Sequence, residues 1–167
     1  MMENERPPVD GWTPPTPLER KAILDRTESI AIVGASSKPG RASNFVATYL
    51  LSSSANFRVY LVNPRETEIL GQPVYASLAE LPEVPDMVDV FRRSEDLPGI
   101  AEEAIAVGAK TFWAQLGLWN GEAARLAAAA GLDAVMDRCT KIEHARFAGG
   151  LHLAGFDTGV ISSKRSG

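Results

Sequence analysis

The sequence has very little cysteine and histidine, two residue types on which metal sites and nucleophilic catalysis often depend. Its 167 residues include one cysteine, Cys139, and two histidines. A single cysteine excludes a disulfide within the chain and is typical of a reducing compartment, so we expect a cytoplasmic protein. Cys139, His144 and His152 do not have the spacing of a zinc site, and no metal site is predicted.

Long apolar runs and an excess of basic charge are also absent. No apolar stretch approaches the ~20 residues that a membrane-spanning helix needs, and residues 1–8 contain no apolar signal-peptide core. The 17 lysines and arginines are outnumbered by 21 acidic residues, which gives a net charge of −4. These features argue against a membrane or a nucleic acid as the main partner.

Short apolar runs alternate with helical patterns after a proline-rich start. Residues 1–17 contain five prolines and predict an extended arm, with Trp12 docked on the domain or on a partner subunit. The predicted strands are 29–33, 57–62, 87–91, 110–114 and 132–136. This alternation predicts one doubly wound α/β domain at 18–148, with a five-stranded parallel sheet in the order 3-2-1-4-5 and helices on both faces. Residues 149–167 are expected to form a C-terminal extension with a disordered end.

The turn after the first predicted strand has the composition of a phosphate-binding loop. Gly34 permits a tight turn, and Ala35 and Ser36 keep the side chains small. Lys38 and Arg41 follow closely and bring positive charge. In a parallel α/β sheet such a turn leads into a helix N-terminus, whose free N–H groups and positive dipole end bind phosphate. The predicted ligand is a nucleotide.

A nicotinamide dinucleotide fits this sequence poorly. Gly34 and Gly40 do not form the G-x-G-x-x-G pattern. The second predicted strand ends in Asn63, where an acidic residue would accept both ribose hydroxyls of NAD. Arg65 nearby favours a phosphorylated ribose, so an NADP-binding oxidoreductase or redox sensor stays an alternative.

Six segments, taken together and in order, carry a family resemblance. They are Val33-Gly34-Ala35-Ser36, Val62-Asn63-Pro64-Arg65, Ile69-Leu70-Gly71, Val88-Asp89-Val90-Phe91-Arg92-Arg93-Ser94, Trp113-Ala114-Gln115-Leu116-Gly117 and Met136-Asp137-Arg138-Cys139. They resemble the small CoA-binding protein family, which is similar in turn to the CoA-binding domain of the succinyl-CoA synthetase α subunit. The resemblance covers residues 30–144.

The resemblance implies a Rossmann-like domain that binds coenzyme A or an acyl-CoA at the C-terminal edge of the sheet. The residues implied at the pyrophosphate are Gly34, Ala35, Ser36, Lys38 and Arg41. Those implied at the adenosine part are Asn63 and Pro64, with Arg65 at the 3′-phosphate. Those implied in the next loop and along the pantetheine arm are Phe91, Arg92, Ser94, Gln115, Gly117 and Cys139. Guanidinium groups pair with phosphate oxygens in a bidentate way, which agrees with the arginines in this set.

The resemblance supports binding and does not support ligase activity. A full synthetase also needs a domain that bears a phosphorylated histidine and a partner subunit that handles the nucleoside triphosphate, and neither is expected in this chain. We therefore predict no catalytic residues, and a carrier, sensor or accessory subunit that forms a homodimer or joins an enzyme partner subunit. The alternative is the CoA-binding subunit of a larger acyl-CoA ligase-type enzyme. A catalytic Cys139–His144 pair is not favoured, because the spacing puts the two side chains off a shared helical face.

Cys139 is expected near the thiol end of the pantetheine arm, where it would form a mixed disulfide with CoA. Its thiolate would attack the disulfide of oxidised CoA and release one CoA thiol. We expect intact-mass spectrometry after incubation with oxidised CoA to show one added CoA moiety that a reductant removes. An unchanged mass under these conditions would contradict the hypothesis.

Overall fold

The computed structural model describes residues 6–52 and 54–148, which form one sheet with helices on both faces. The strands are Ser29–Val33 (β1), Arg58–Val62 (β2), Glu68–Ile69 (β3), Gln72–Tyr75 (β4), Met87–Val90 (β5), Thr111–Ala114 (β6) and Asp133–Val135 (β7). Their order is β3-β4-β2-β1-β5-β6-β7, and all neighbours are parallel except β3 and β4. The predicted α/β class is confirmed. The predicted C-terminal extension, 149–167, lies outside the described residues.

The helices begin and end at local sequence signals. They are Pro17–Arg26 (α1), Ala42–Leu50 (α2), Leu97–Val107 (α3), Gly121–Ala129 (α4) and Thr140–Ala148 (α5), with short 3₁₀ turns at Leu78–Glu80 and Ser94–Asp96. Thr16 and Glu19 form a reciprocal capping box at the start of α1. Gly108 ends α3 in the left-handed conformation, with a φ of 90°. The Asn120 side chain accepts a hydrogen bond from the Ala123 N–H at the start of α4.

The predicted strand number and strand order are wrong. The sheet has seven strands, because β4 lies beyond the five predicted strands and pairs with a further short strand, β3. The hairpin of β3 and β4 occupies the outer edge of β2. The third predicted strand, β5, therefore pairs with β1, and Val33 lies opposite Val90. The five predicted strands consequently have the order 2-1-3-4-5, and the strand order reverses between β1 and β5.

Successive residues of the central strands pack into two separate cores. Ile30 and Ile32 of β1 face the side covered by α1 and α2, where they pack with Trp113 of β6. Ala31 and Val33 face the other side and pack with α3 and α4. Every residue of β1 is buried, as expected for a parallel strand covered on both faces. This explains why residues 30–33 of β1 are all apolar instead of alternating with polar residues.

The N-terminal arm docks on the domain through Trp12, which is one of the two arrangements predicted for this residue. The Trp12 indole N–H donates to the Ala134 carbonyl at 2.9 Å, and its ring meets Trp119 edge-on with 5.4 Å between centroids. On α1, Arg20 Nε donates to Glu143 Oε1 of α5 at 2.7 Å, and both side chains are buried. The buried ion pair thus joins α1 to α5.

In the part of the chain that the structure describes, no helix has the length and apolar character to cross a bilayer.

We expect Glu143→Ala to lower the free energy of unfolding by about 3–5 kcal/mol, because it leaves the Arg20 guanidinium buried without its carboxylate partner. Asp25→Ala is the matched control, since it removes the exposed Lys21–Asp25 pair and should change stability by about 0.5 kcal/mol or less. Urea denaturation of the three proteins measures both effects. Equal losses in the two variants would argue against a structural role for the buried pair.

Candidate functional site

Two adjoining cavities lie at the carboxyl edge of the sheet, next to the point where the strand order reverses. The larger cavity, of about 530 Å³, is bordered by the loops after β1, β2 and β5. The smaller cavity, of about 300 Å³, extends from the loops after β1 and β5 to those after β6 and β7. The residues that line both are Gly34, Ser36, Arg41, Phe91 and Arg92. Because the cavities share these residues, we treat them as one groove.

Gly34 lies where the loops after β1 and β5 approach each other closely. Its φ is +89°, in the left-handed region that favours glycine. A Cβ atom at this position would lie 2.6 Å from the Phe91 carbonyl oxygen and 2.9 Å from Arg92 Cδ. Only glycine allows the two loops to approach this closely. The predicted role of Gly34 in a tight turn is consistent with this geometry.

Side chains from neighbouring elements hold the loop that follows Gly34. Asn44 Nδ2 donates to the Ser36 carbonyl at 3.0 Å, and the Lys38 N–H donates to Ser36 Oγ at 3.1 Å. The Ser37 N–H donates to Glu66 Oε2 at 3.1 Å. A carboxylate oxygen therefore already binds one backbone N–H of the predicted phosphate loop. A phosphate that uses the same N–H must displace Glu66.

Asn63 connects the loop after β2 to the loop after β1. Its Nδ2 donates to the Ala35 carbonyl at 2.7 Å, and its Oδ1 accepts from the Arg65 N–H at 2.8 Å. An ionised aspartate at this position could not donate to the Ala35 carbonyl. This gives a structural reason for an amide where dinucleotide-binding domains of the NAD type carry an acidic residue. Asn63, Pro64 and Arg65 all line the larger cavity.

Positive charge in the groove comes from three arginines. Arg41 and Arg92 line both cavities, and Arg65 lines the larger one. Arg92 Nη2 lies 3.4 Å from Asp96 Oδ2, and the two side chains form an ion pair in the segment after β5. Within residues 6–52 and 54–148, Arg41 and Arg65 form no ion pair. Two guanidinium groups are therefore free to pair with an anion.

A buried polar network lies behind the smaller cavity. Asp89 of β5 is fully buried and accepts hydrogen bonds from Gln115 Nε2 and from Thr140 Oγ1. Burial raises the pKa of the Asp89 carboxyl to about 7, and the hydrogen bonds from Gln115 and Thr140 oppose that rise. Asp89 and Thr140 are not among the site residues predicted from the sequence. The sequence signal that could have identified this network is Asp89 itself, a charged residue inside the apolar run 87–90. Such a residue needs a buried partner.

Most of the predicted site residues come together in the groove. Those that line it are Gly34, Ala35, Ser36, Arg41, Asn63, Pro64, Arg65, Phe91, Arg92, Gln115 and Cys139. Cys139 is half-buried in the smaller cavity, whose apolar lining includes Val46 and Leu118. The groove therefore has a cationic end with three arginines and a more apolar end, and Arg41 and Arg92 border both ends.

Three predicted site residues line neither cavity. Lys38 is exposed on the loop after β1. Ser94 Oγ accepts from the Trp119 N–H at 3.1 Å and so connects two loops. The Gly117 N–H donates to Asp137 Oδ1 at 2.6 Å. The contacts of Ser94 and Gly117 support the loops that surround the groove.

His144 is paired with a tyrosine and not with Cys139. Its Nδ1 lies 2.7 Å from Tyr49 Oη, and burial lowers its pKa. Among the described residues, no group of three or more histidine, cysteine, aspartate or glutamate side chains is placed to hold a metal ion.

Comparisons with known proteins agree with the fold and with the predicted family. The model of the CoA binding domain family matches residues 28–145. The uncharacterized protein YneT of Bacillus subtilis is 43% identical over 131 residues, which are 78% of this chain and 96% of that protein. A solved structure from Pyrococcus horikoshii is 40% identical, has a TM-score of 0.76 and covers 89% of this chain and all of its own.

A more distant relative is part of an enzyme. The α subunit of the ADP-forming acetate–CoA ligase I of Pyrococcus furiosus is 32% identical over 91 residues. The match covers 52% of this chain and 20% of the ligase subunit. The similarity is therefore confined to one part of the larger protein.

We expect Gly34→Ala to lower the free energy of unfolding by about 1–3 kcal/mol, because it combines a left-handed φ with a contact on the Phe91 carbonyl. Gly40→Ala is the control, since Gly40 has no atom within 4 Å of an added Cβ, and it should change stability by about 0.5 kcal/mol or less. Thermal and urea unfolding of both variants test this. A Gly34→Ala protein as stable as the control would contradict the close approach of the loops.

Proposed function

The chain belongs to the CoA binding domain family, whose model matches residues 28–145, and on that premise we propose that it binds coenzyme A or an acyl-CoA in the groove. The observation that supports this best is the shape and polarity of the groove. A cationic cavity and a more apolar cavity meet at the Gly34 turn. CoA has the same division, with phosphates and adenosine at one end and the pantetheine arm at the other.

The nucleotide part of CoA lies in the larger cavity in this proposal. The pyrophosphate binds to the loop 34–36 and pairs with Arg41. It displaces the Glu66 carboxylate from the Ser37 N–H. The adenosine part lies against Asn63 and Pro64. Arg65 pairs with the 3′-phosphate, because its guanidinium group is free of ion pairs with the described residues and borders the same cavity.

The pantetheine arm then passes Phe91 and Arg92 into the smaller cavity. Gln115 borders its path, and Cys139 lies where the thiol end arrives. The apolar side chains of Val46 and Leu118 give this end a lining that suits the arm or a short acyl group.

We propose that the protein acts in the cytoplasm as a carrier, sensor or accessory subunit, without a catalytic centre of its own. The match to part of an acetate–CoA ligase subunit supports a second candidate, a CoA-binding subunit that works with an enzyme partner on another chain. Co-purification with an ATP-binding ligase subunit would favour that candidate.

Binding is tested by calorimetry and thermal shift with CoA, 3′-dephospho-CoA, NAD and NADP at equal concentration. CoA at a hundred times its Kd should stabilise the fold by about 2.7 kcal/mol, an increase that thermal unfolding detects readily. We expect Arg65→Ala to weaken CoA binding about tenfold and dephospho-CoA binding much less, because the lost contact is to the 3′-phosphate.

Arg125→Ala is the matched control for this substitution. It removes the same charge from the exposed face of α4, outside both cavities, and should leave CoA binding unchanged. Stabilisation by NADP and not by CoA would overturn the proposal and favour a redox role.

A further inference from the structure

Gln115 is the polar side chain that links the buried network to the smaller cavity. It is only 5% exposed, yet it lines that cavity. Its Nε2 donates to the Asp89 carboxylate and, at 2.9 Å, to Thr140 Oγ1. Both amide hydrogens are therefore used. No residue in the ranges 6–52 and 54–148 donates a hydrogen bond to the remaining polar atom, Oε1.

The orientation of the Gln115 amide follows from its two partners. Above its pKa of about 7 Asp89 is ionised and only accepts hydrogen bonds, so it requires Nε2 and repels Oε1. The Thr140 hydroxyl uses its hydrogen to donate to Asp89 Oδ2 at 2.9 Å. Its oxygen can therefore only accept a hydrogen bond from Gln115. The rotated amide would place oxygen against oxygen at Asp89 and would lose both hydrogen bonds. Above that pKa the network therefore uses Nε2 for Asp89 and Thr140 and leaves Oε1 as the amide atom without a partner among the described residues.

We propose that Gln115 offers Oε1 to the smaller cavity as a fixed acceptor for an amide N–H of the bound ligand, and that Asp89 and Thr140 are the positioning residues that hold it there. A buried acceptor without a donor is costly, and a ligand that supplies one removes that cost. The inference rests on the proposed function, because the pantetheine arm of CoA carries two secondary amides. The acceptor selects a ligand whose arm has an N–H group at this depth.

The decisive probes are two CoA analogues. In each of them an ester oxygen replaces the N–H of a different pantetheine amide. Adenosine 3′,5′-bisphosphate serves as a probe without the arm. With the wild-type protein, calorimetry should show one ester analogue binding about tenfold more weakly than CoA, and the other close to CoA. These measurements need no substitution and do not depend on the folding of a variant.

Two variants test the positioning residues. In Asp89→Asn the new side chain can accept from Gln115 Nε2 or donate to Gln115 Oε1, so the Gln115 amide is no longer held in one orientation. CoA should then bind about twofold more weakly, because only part of the protein presents Oε1, while adenosine 3′,5′-bisphosphate binds as before. Adding Gln115→Glu should restore CoA binding, because the carboxylate accepts from the asparagine amide with one oxygen and presents the other to the cavity. A purely structural defect would lower binding of both probes together.

The outcomes separate this inference from the proposed function. If CoA and adenosine 3′,5′-bisphosphate both fail to bind the wild-type protein, the proposed function and the role of Gln115 are both wrong. If CoA binds and both ester analogues bind equally well, the groove binds CoA but Gln115 accepts no amide N–H, and only this inference is overturned. Failure of the double variant to recover CoA binding, with its fold intact by circular dichroism, would likewise contradict it.

Discussion

The groove depends on the close approach of the Gly34 backbone to the Phe91 carbonyl. The strand order reverses between β1 and β5, so the chain leaves these two neighbouring strands toward opposite faces of the sheet and opens a crevice between them. A side chain at position 34 would collide with the loop after β5, since its Cβ would lie 2.6 Å from a carbonyl oxygen. Both cavities border on these two loops, which is why one backbone contact shapes the cationic end and the apolar end together.

Helix α5 connects the groove to α1 through two buried polar contacts. Thr140 and Glu143 are three residues apart and lie on the same side of the helix. Thr140 donates to Asp89 behind the smaller cavity, and Glu143 accepts from Arg20 of α1. Because buried polar groups are costly without partners, each contact specifies where α5 packs. The position of Gln115 is thus coupled to the packing of a helix that follows it in the chain after α4 and β7.

The sequence predicted what is local and missed what depends on distant partners. The helix boundaries at Thr16, Gly108 and Asn120 were predictable because capping uses residues within one turn. The strand order was not predictable from local sequence, because it depends on which edge of the β1–β2 pair β5 joins. The hairpin beside β2 was not predictable either, because one of its strands, β3, has only two residues. Most of the candidate site was found because the ends of parallel strands meet at one edge of the sheet. The network of Asp89 was missed, since its partners follow it by 26 and 51 residues.

The two ends of the groove would contribute differently to the binding of CoA under the proposed function. Arg41 and Arg65 are exposed, so their attraction for phosphate is screened by salt over a Debye length of about 8 Å at physiological ionic strength. Such contacts favour any ligand with phosphates in the right place. Gln115 is buried, so its hydrogen bond would be little affected by salt and would be lost with any ligand that lacks the donor. The arginines would therefore supply attraction common to many nucleotides, and the smaller cavity would supply the discrimination among them.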